Sequence, residues 1–183
     1  MGCGKTGRFL SCDYLGPSRK PDIVSLGKSI TGGFYPASFV MGKSECMDLV
    51  ATREAVSTYS FSPMAIAAVK AALRVIDDER LVERARYIQE WVLKEVKTWN
   101  YPFIESVKAR GSDINFFLQH VTSEECLEIC KQCVEHGVLV SPCLLRFRLN
   151  IPMAITDAEL KKGISIIKSV FDTVRPQHST CPR

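Results

Sequence analysis

The order in which strand-type and helix-type hydrophobic patterns follow one another is the feature that most constrains this chain. Two short apolar runs, 22–26 and 38–42, come first, and a loop rich in glycine separates them. Apolar residues then recur every three or four positions from Met64, and a second such pattern covers 80–97. Short apolar runs between turn residues are typical of buried strands, whereas the longer period predicts helices. The chain is therefore predicted to be α/β.

Strand and helix patterns alternate again in the second half. Thr156 stands before the last helical pattern with Glu159 three residues later, which is the spacing of a capping box, and Gly137 closes the helix before it. The patterns predict helices over 123–136 and 157–174 and strands over 103–107, 114–119, 138–141 and 145–149. We therefore expect a two-strand segment over 1–76, a small α+β domain over 77–175 and a tail over 176–183. Since two strands alone rarely make a stable sheet, we expect the first segment to be part of a larger one.

Composition excludes several classes of partner. The 183 residues carry a net charge of +4 and mix basic with acidic residues, so no basic stripe indicates nucleic acid. No apolar run is long enough to cross a bilayer, and no apolar leader follows Met1. We expect no membrane partner and a cytoplasmic location, with the mitochondrion left open. The eight cysteines are interpreted as reduced thiols.

Two motifs suggest chemistry that their context does not favour. Gly4-Lys5-Thr6 resembles the end of a phosphate-binding loop, but neither the earlier glycine nor the strand of that motif precedes it. Cys126, Cys130 and Cys133 have a spacing used by iron–sulfur proteins. They also fall at i, i+4 and i+7 of a helical pattern, which places them on one helix face. Core packing is the preferred interpretation of these thiols.

Lys28 directly follows the first apolar strand and Gly27. An amine at the end of a buried strand is expected to be partly desolvated, which favours its neutral form. A neutral amine is what Schiff-base chemistry with a carbonyl requires. The alternative interpretation is an ordinary solvated lysine at a strand end, and the residues alone favour this alternative.

The segment 21–38 reads Pro-Asp-Ile-Val-x-Leu-Gly-Lys-x-Ile-x-Gly-Gly-x-Tyr-Pro-x-Ser. It resembles the cofactor-lysine segment of the class III pyridoxal-phosphate-dependent aminotransferases, and within them most closely the ornithine aminotransferase branch. Gly4 to Phe9 resembles a second stretch of the same family. The resemblance implies the C-terminal portion of the fold-type-I, aspartate-aminotransferase-like architecture, with a large-domain remnant and a small C-terminal domain. It also implies pyridoxal 5′-phosphate as cofactor and a homodimer.

The same resemblance implies roles for four residues. Lys28 falls on the lysine that binds the cofactor covalently and moves a proton between the substrate Cα and the cofactor C4′. Ser57 and Thr58 fall on a Ser-Thr segment that binds the cofactor, in which the threonine reaches the cofactor phosphate from the neighbouring subunit. Arg148 falls on the arginine that binds the substrate carboxylate, with Arg146 as its rival.

The implied function is transfer of the ornithine δ-amino group to 2-oxoglutarate, with amino acids and 2-oxo acids as substrates. An enzyme specific for acetylornithine or 4-aminobutyrate, and an incomplete subunit that associates with an intact aminotransferase, are the alternatives. The chain departs from the family at three places, which suggests a shifted substrate. Ser60-Phe61-Ser62-Pro63 replaces Gly-Gly-Asn-Pro, Arg110-Gly111-Ser112-Asp113 replaces Arg-Gly-x-Gly, and Ile151-Pro152 replaces Pro-Pro.

Overall fold

The computed structural model describes residues 2–51, 54, 57–143 and 146–174. The chain forms two compact units, Met1–Val82 and Glu83–Arg183. The boundary expected after residue 76 lies within the helix Pro63–Asp78 and stays a prediction. The tail expected over 176–183 lies outside the described residues. None of the described helices is both long and apolar enough to cross a membrane.

The first unit contains the two expected strands. Strands β1 (Ile23–Leu26) and β2 (Phe39–Gly42) pair antiparallel, with Leu26 opposite Phe39. Short 3₁₀ helices over Ser11–Tyr14 and Pro17–Arg19 precede β1, and a third over Lys28–Thr31 follows it. Helices α1 (Ser44–Met47) and α2 (Pro63–Asp78) come after β2. Its buried apolar cluster is small and consists of Cys3, Leu26 and Ile30, with Leu10, Val24, Phe39, Val69 and Ile76 packed against it.

The second unit is an antiparallel sheet covered by helices. Helix α3 (Leu81–Val96) leads into it. The strands, in their order across the sheet, are β3 (Ile104–Arg110), β4 (Asp113–Leu118), β6 (Arg146–Asn150) and β5 (Ser141–Cys143). Side chains alternate between the two faces of each strand, so Phe116 and Phe147, which are cross-strand partners, share one face. Both rings are buried against Phe171 at centroid distances of 5.8 and 5.4 Å. Helix α4 (Ser123–Glu135) follows β4 along the chain, and helix α5 (Asp157–Thr173) follows β6.

The three cysteines of α4 belong to the core of this unit. Cys126, Cys130 and Cys133 are all buried among the apolar side chains of the sheet and of α5. Burial raises the pKa of the Cys133 thiol to about 11, so this thiol stays protonated at neutral pH. The expectation of core packing is confirmed.

The strand expected over 138–141 is wrong except at its last residue. Gly137 has φ +91°, and its N–H donates to the Val134 carbonyl at 2.9 Å. The Val138 N–H donates to the Cys133 carbonyl at 2.8 Å, which completes a Schellman closure of α4. Because the backbone at Val138 is used to end the helix, pairing begins later and β5 covers Ser141–Cys143.

The capping box expected at the last helix is confirmed. The Glu159 N–H donates to Thr156 Oγ1 at 3.2 Å, and the Thr156 N–H donates to Glu159 Oε2 at 3.0 Å. Thr122 and Glu125 make the same reciprocal pair at the start of α4. Both helices therefore begin where the side chains satisfy N–H groups that the helix itself leaves without partners.

We expect Thr156→Ala to lower the free energy of unfolding by about 1 kcal/mol, because the Glu159 N–H loses its acceptor. The matched control is Ser165→Ala on the exposed face of α5, where the Ser165 hydroxyl donates only to the Lys162 carbonyl. This control is expected to stay within about 0.5 kcal/mol of the unaltered chain. Urea denaturation followed by circular dichroism measures both, and equal effects of the two substitutions would contradict a capping role.

Candidate active site

Lys28 begins a tight turn directly after β1. Its φ is +55°, in the left-handed region that residues other than glycine seldom adopt. The residues at the end of the turn fix it in place. Ile30 and Thr31 are buried, and Thr31 Oγ1 donates to the Tyr35 carbonyl at 2.6 Å. It ends at Gly32, whose φ of +66° allows the chain to reverse. Backbone held in a sparsely populated conformation by surrounding contacts is concentrated at functional sites.

The side chain of Lys28 is exposed. This exposure agrees with the solvated strand-end lysine that the residues alone favour, and not with a partly desolvated amine. The small apolar cluster of the first unit buries Leu26 and Ile30, on either side of Lys28 in the sequence, and leaves the lysine side chain outside it. Within the described residues, no hydrogen bond or ion pair engages the Lys28 amine. The amine is thus accessible for reaction with an aldehyde.

Ser57 and Thr58 lie in an exposed turn just before α2. The Ser60 N–H donates to the Ser57 carbonyl at 3.0 Å, and both Ser57 and Thr58 are exposed. Among the residues that the structure describes, no hydrogen bond joins either hydroxyl to Lys28. The structure therefore leaves both hydroxyls accessible from solvent and does not join them to Lys28 within one chain.

Phe61, in the same turn, stands where the resembled family has a glycine. Its φ is +60° and its side chain is 88% exposed. A bulky residue in the left-handed region is strained, and no buried contact of the ring offsets that strain. The backbone of this turn thus keeps a glycine-type conformation although the residue has changed.

Arg148 lies on β6, on the face of the sheet opposite the aromatic core. Its cross-strand partner on β4 is Asn115, and Asp113 is two residues away on the same face of that strand. Arg148 Nε donates to Asp113 Oδ1 at 2.9 Å, and Asn115 Nδ2 donates to Asp113 Oδ2 at 3.4 Å. The hydrogen bond that Arg148 donates to the Asp113 carboxylate raises the pKa of Arg148 above its usual value, which keeps the guanidinium charged.

The hairpin between β3 and β4 positions Asp113. Gly111 has φ +59° at the first position of the two-residue turn, as a type II′ turn requires. The Gly111 N–H donates to Gln89 Oε1 at 2.6 Å, and the Ile151 N–H donates to the fully buried Ser112 at its carbonyl, 3.0 Å away. Sequence reasoning noted the family difference at Asp113 but did not count it as a site residue. Its partner, Arg148, becomes apparent only from the pairing of β4 with β6, which places the two residues diagonally across neighbouring strands.

Arg146 shares the polar face of the sheet with Arg148, because the two are separated by one residue on β6. Its Nη2 donates to Cys143 Sγ at 3.3 Å, and its guanidinium lies 5.7 Å from the centre of the Phe117 ring. Both arginines can therefore present positive charge on this face. Arg148 differs in having a carboxylate partner.

The described residues contain no cluster of His, Cys, Asp or Glu that could hold a metal ion. They do fit an aldehyde cofactor, because an accessible primary amine stands on a fixed turn. The backbone beside it is open, since a Cβ added at Gly33 would meet nothing within 4 Å. Lys28 is the described residue on this turn that could attach such a group covalently.

Comparison with known proteins identifies the family. The class-III aminotransferase model matches residues 1–171. The 5-aminovalerate aminotransferase DavT of Pseudomonas aeruginosa is 35% identical, over 93% of this chain and 42% of its own length. The ornithine aminotransferase of Emericella nidulans is 33% identical, over 92% of this chain and 37% of its own length. The chain thus spans about two fifths of the length of these curated relatives.

Solved structures agree with the sequence comparison. The ornithine aminotransferase of Toxoplasma gondii superposes with a TM-score of 0.87 at 28% identity, over 95% of this chain and 41% of that one. That structure is described as having partial occupancy of pyridoxal phosphate at its active site. The acetylornithine aminotransferase of Elizabethkingia anophelis superposes with a TM-score of 0.82 at 28% identity, over 94% of this chain and 44% of that one. The fold is therefore that of a portion of a fold-type-I aminotransferase.

We expect Phe61→Gly to raise the free energy of unfolding by roughly 1 kcal/mol, because glycine removes the left-handed strain. Ser60→Gly is the matched control in the same turn, since Ser60 is not among the residues with positive φ. The control is expected to lower stability by roughly 0.5 kcal/mol through the added freedom of the unfolded chain. Thermal unfolding of both variants tests this, and destabilisation by Phe61→Gly would show that the ring contributes more than its backbone strain removes.

Proposed function

Because this chain belongs to the class-III aminotransferases, whose members use pyridoxal phosphate, we propose that it serves pyridoxal-phosphate-dependent transamination with Lys28 as the cofactor lysine. The observation that carries the proposal is the fixed turn at the end of β1, which holds Lys28 at φ +55° with an exposed amine. The cofactor, when bound, supplies the electron sink for chemistry at the substrate Cα. Lys28 would then carry the proton that leaves the substrate Cα.

Ser57 and Thr58 are proposed to bind the cofactor phosphate with their hydroxyl groups. Their exposure supports this role, because neither side chain lies in the core of its own chain. We propose that they act across a homodimer, with the turn of one subunit serving the lysine of the other. Large exposed apolar side chains in the first unit support a covering partner: Phe34, Leu49, Tyr59 and Phe61 are exposed by 72%, 80%, 82% and 88%.

Arg148 is proposed to bind the substrate carboxylate. A planar guanidinium matches a carboxylate with two parallel hydrogen bonds, and its side chain is 35% exposed on the polar face of the sheet. The hydrogen bond that Nε donates to the Asp113 carboxylate favours the charged guanidinium and holds that nitrogen in place. Arg146 lies on the same face of β6, but it donates its hydrogen bond to the Cys143 thiol.

The proposed amino donor is a five-carbon amino acid with a terminal amine, and 2-oxoglutarate is the proposed acceptor. Ornithine is the first candidate, because ornithine aminotransferases are similar to this chain in both sequence and structure. The second candidate is 5-aminovalerate, because the 5-aminovalerate aminotransferase DavT is 35% identical to this chain. This compound has the same chain length and terminal amine as ornithine but no α-amino group.

A cytoplasmic location remains part of the proposal, with the mitochondrion as the alternative.

We expect Lys28→Arg to abolish covalent attachment of the cofactor, because a guanidinium keeps the charge but does not condense with an aldehyde at neutral pH. The full chain is incubated with pyridoxal phosphate, reduced with borohydride and digested, and the adduct is located by mass spectrometry. Lys70→Arg is the control, because Lys70 is an exposed lysine on α2. An adduct that persists in Lys28→Arg at the level of the control would overturn the assignment.

We expect the cofactor-loaded chain to form glutamate from 2-oxoglutarate with ornithine or 5-aminovalerate, and more slowly with the shorter 4-aminobutyrate. If two copies complete the site, the rate per subunit falls when the protein is diluted. Lys28→Arg provides the blank, and equal rates in this variant and the unaltered chain would contradict the mechanism. Adduct formation without glutamate would instead favour the alternative in which the chain works only with a longer aminotransferase subunit.

A further inference from the structure

We propose that Asp113 is a positioning residue that orients the Arg148 guanidinium for a substrate carboxylate. The inference rests on the proposed role of Arg148 and assigns a function to a residue that replaces a family glycine. It is carried by the ion pair between Arg148 Nε and Asp113 Oδ1, at 2.9 Å.

The two partners differ in how firmly they are held. The Asp113 side chain is 12% exposed, whereas that of Arg148 is 35% exposed. Asp113 also accepts a hydrogen bond from Asn115 and lies at the end of a hairpin turn that Gln89 ties to α3. The carboxylate is therefore the fixed partner, and the arginine is oriented by it.

The consequence for binding is a smaller loss of freedom. A free arginine side chain populates many rotamers, and a ligand that fixes it must oppose that entropy. When Asp113 already holds Nε, the plane of the guanidinium is set before the substrate arrives. Preorganisation of one such side chain corresponds to a gain in affinity of about tenfold.

The negative charge of Asp113 has an opposite effect, because it repels a second carboxylate near Arg148. If repulsion outweighed orientation, Asp113 would act as a competing counter-ion and its removal would tighten carboxylate binding. Two substitutions separate these effects. Asp113→Asn keeps a side-chain oxygen for Nε and removes the charge, whereas Asp113→Ala removes both.

The first measurement needs no ligand. In ¹⁵N spectra of the full chain, the Nε–Hε signal of Arg148 reports its hydrogen bond through its rate of exchange with water. We expect slow exchange in the unaltered chain and in Asp113→Asn, and exchange at least tenfold faster in Asp113→Ala. Unchanged exchange in Asp113→Ala would overturn the proposal. Arg146, which donates to Cys143 and not to Asp113, provides the internal reference signal.

The second measurement titrates the same proteins with acetate as the carboxylate probe. We expect about tenfold weaker binding at Arg148 in Asp113→Ala and at most about threefold change in Asp113→Asn. Equal or tighter binding in both variants would identify a counter-ion and overturn the proposal. Arg148→Lys tests the proposed function separately: acetate affinity unchanged in this variant would remove the carboxylate role, whereas the exchange measurement still decides what Asp113 does to Arg148.

Discussion

Burial of the aromatic side chains on one face of the four-stranded sheet is the constraint on which the second unit depends. Phe116 and Phe147 are cross-strand partners and pack against Phe171 of α5. Because side chains alternate along a strand, burying these rings turns Asn115 and Arg148 to the opposite face. The position of the candidate carboxylate-binding arginine is therefore a consequence of core packing. A shift of one residue in the register of β6 would bury the arginine and expose the phenylalanine.

The first unit depends on a different constraint. Its apolar cluster is small, yet it fixes the turn that follows β1, because Ile30 and Thr31 are buried directly behind Lys28. This arrangement stabilises an unfavourable backbone conformation at Lys28 while leaving its amine accessible. The remaining apolar surface of the unit is exposed, which agrees with the proposal that a second subunit covers it.

Two residues that differ from the family pattern, Phe61 and Asp113, change the structure locally. Phe61 keeps the left-handed backbone expected of a glycine, so the turn before α2 is retained with added strain. Asp113 keeps its place in the β4 strand but adds a carboxylate beside Arg148. One change therefore concerns the segment proposed to bind the cofactor phosphate, and the other concerns the segment proposed to bind the substrate. Both are local, because the backbone on either side keeps regular turn or strand geometry.

The sequence by itself determined most of the elements and most of their limits, although the four-residue helix α1 was not among them. Periodicity predicted both strands of the first unit and α2 to α5, because the spacing of hydrophobic residues within a short stretch of sequence indicates which element that stretch forms. Capping residues predicted the start of α5 for the same reason. The strand expected over 138–141 failed, since the apolar run did not reveal that Val138 would close a helix. Tertiary structure alone decided the exposure of Lys28 and the partner of Arg148. Asp113 and Arg148 are distant in sequence, and only the register of β4 against β6 brings their charges together.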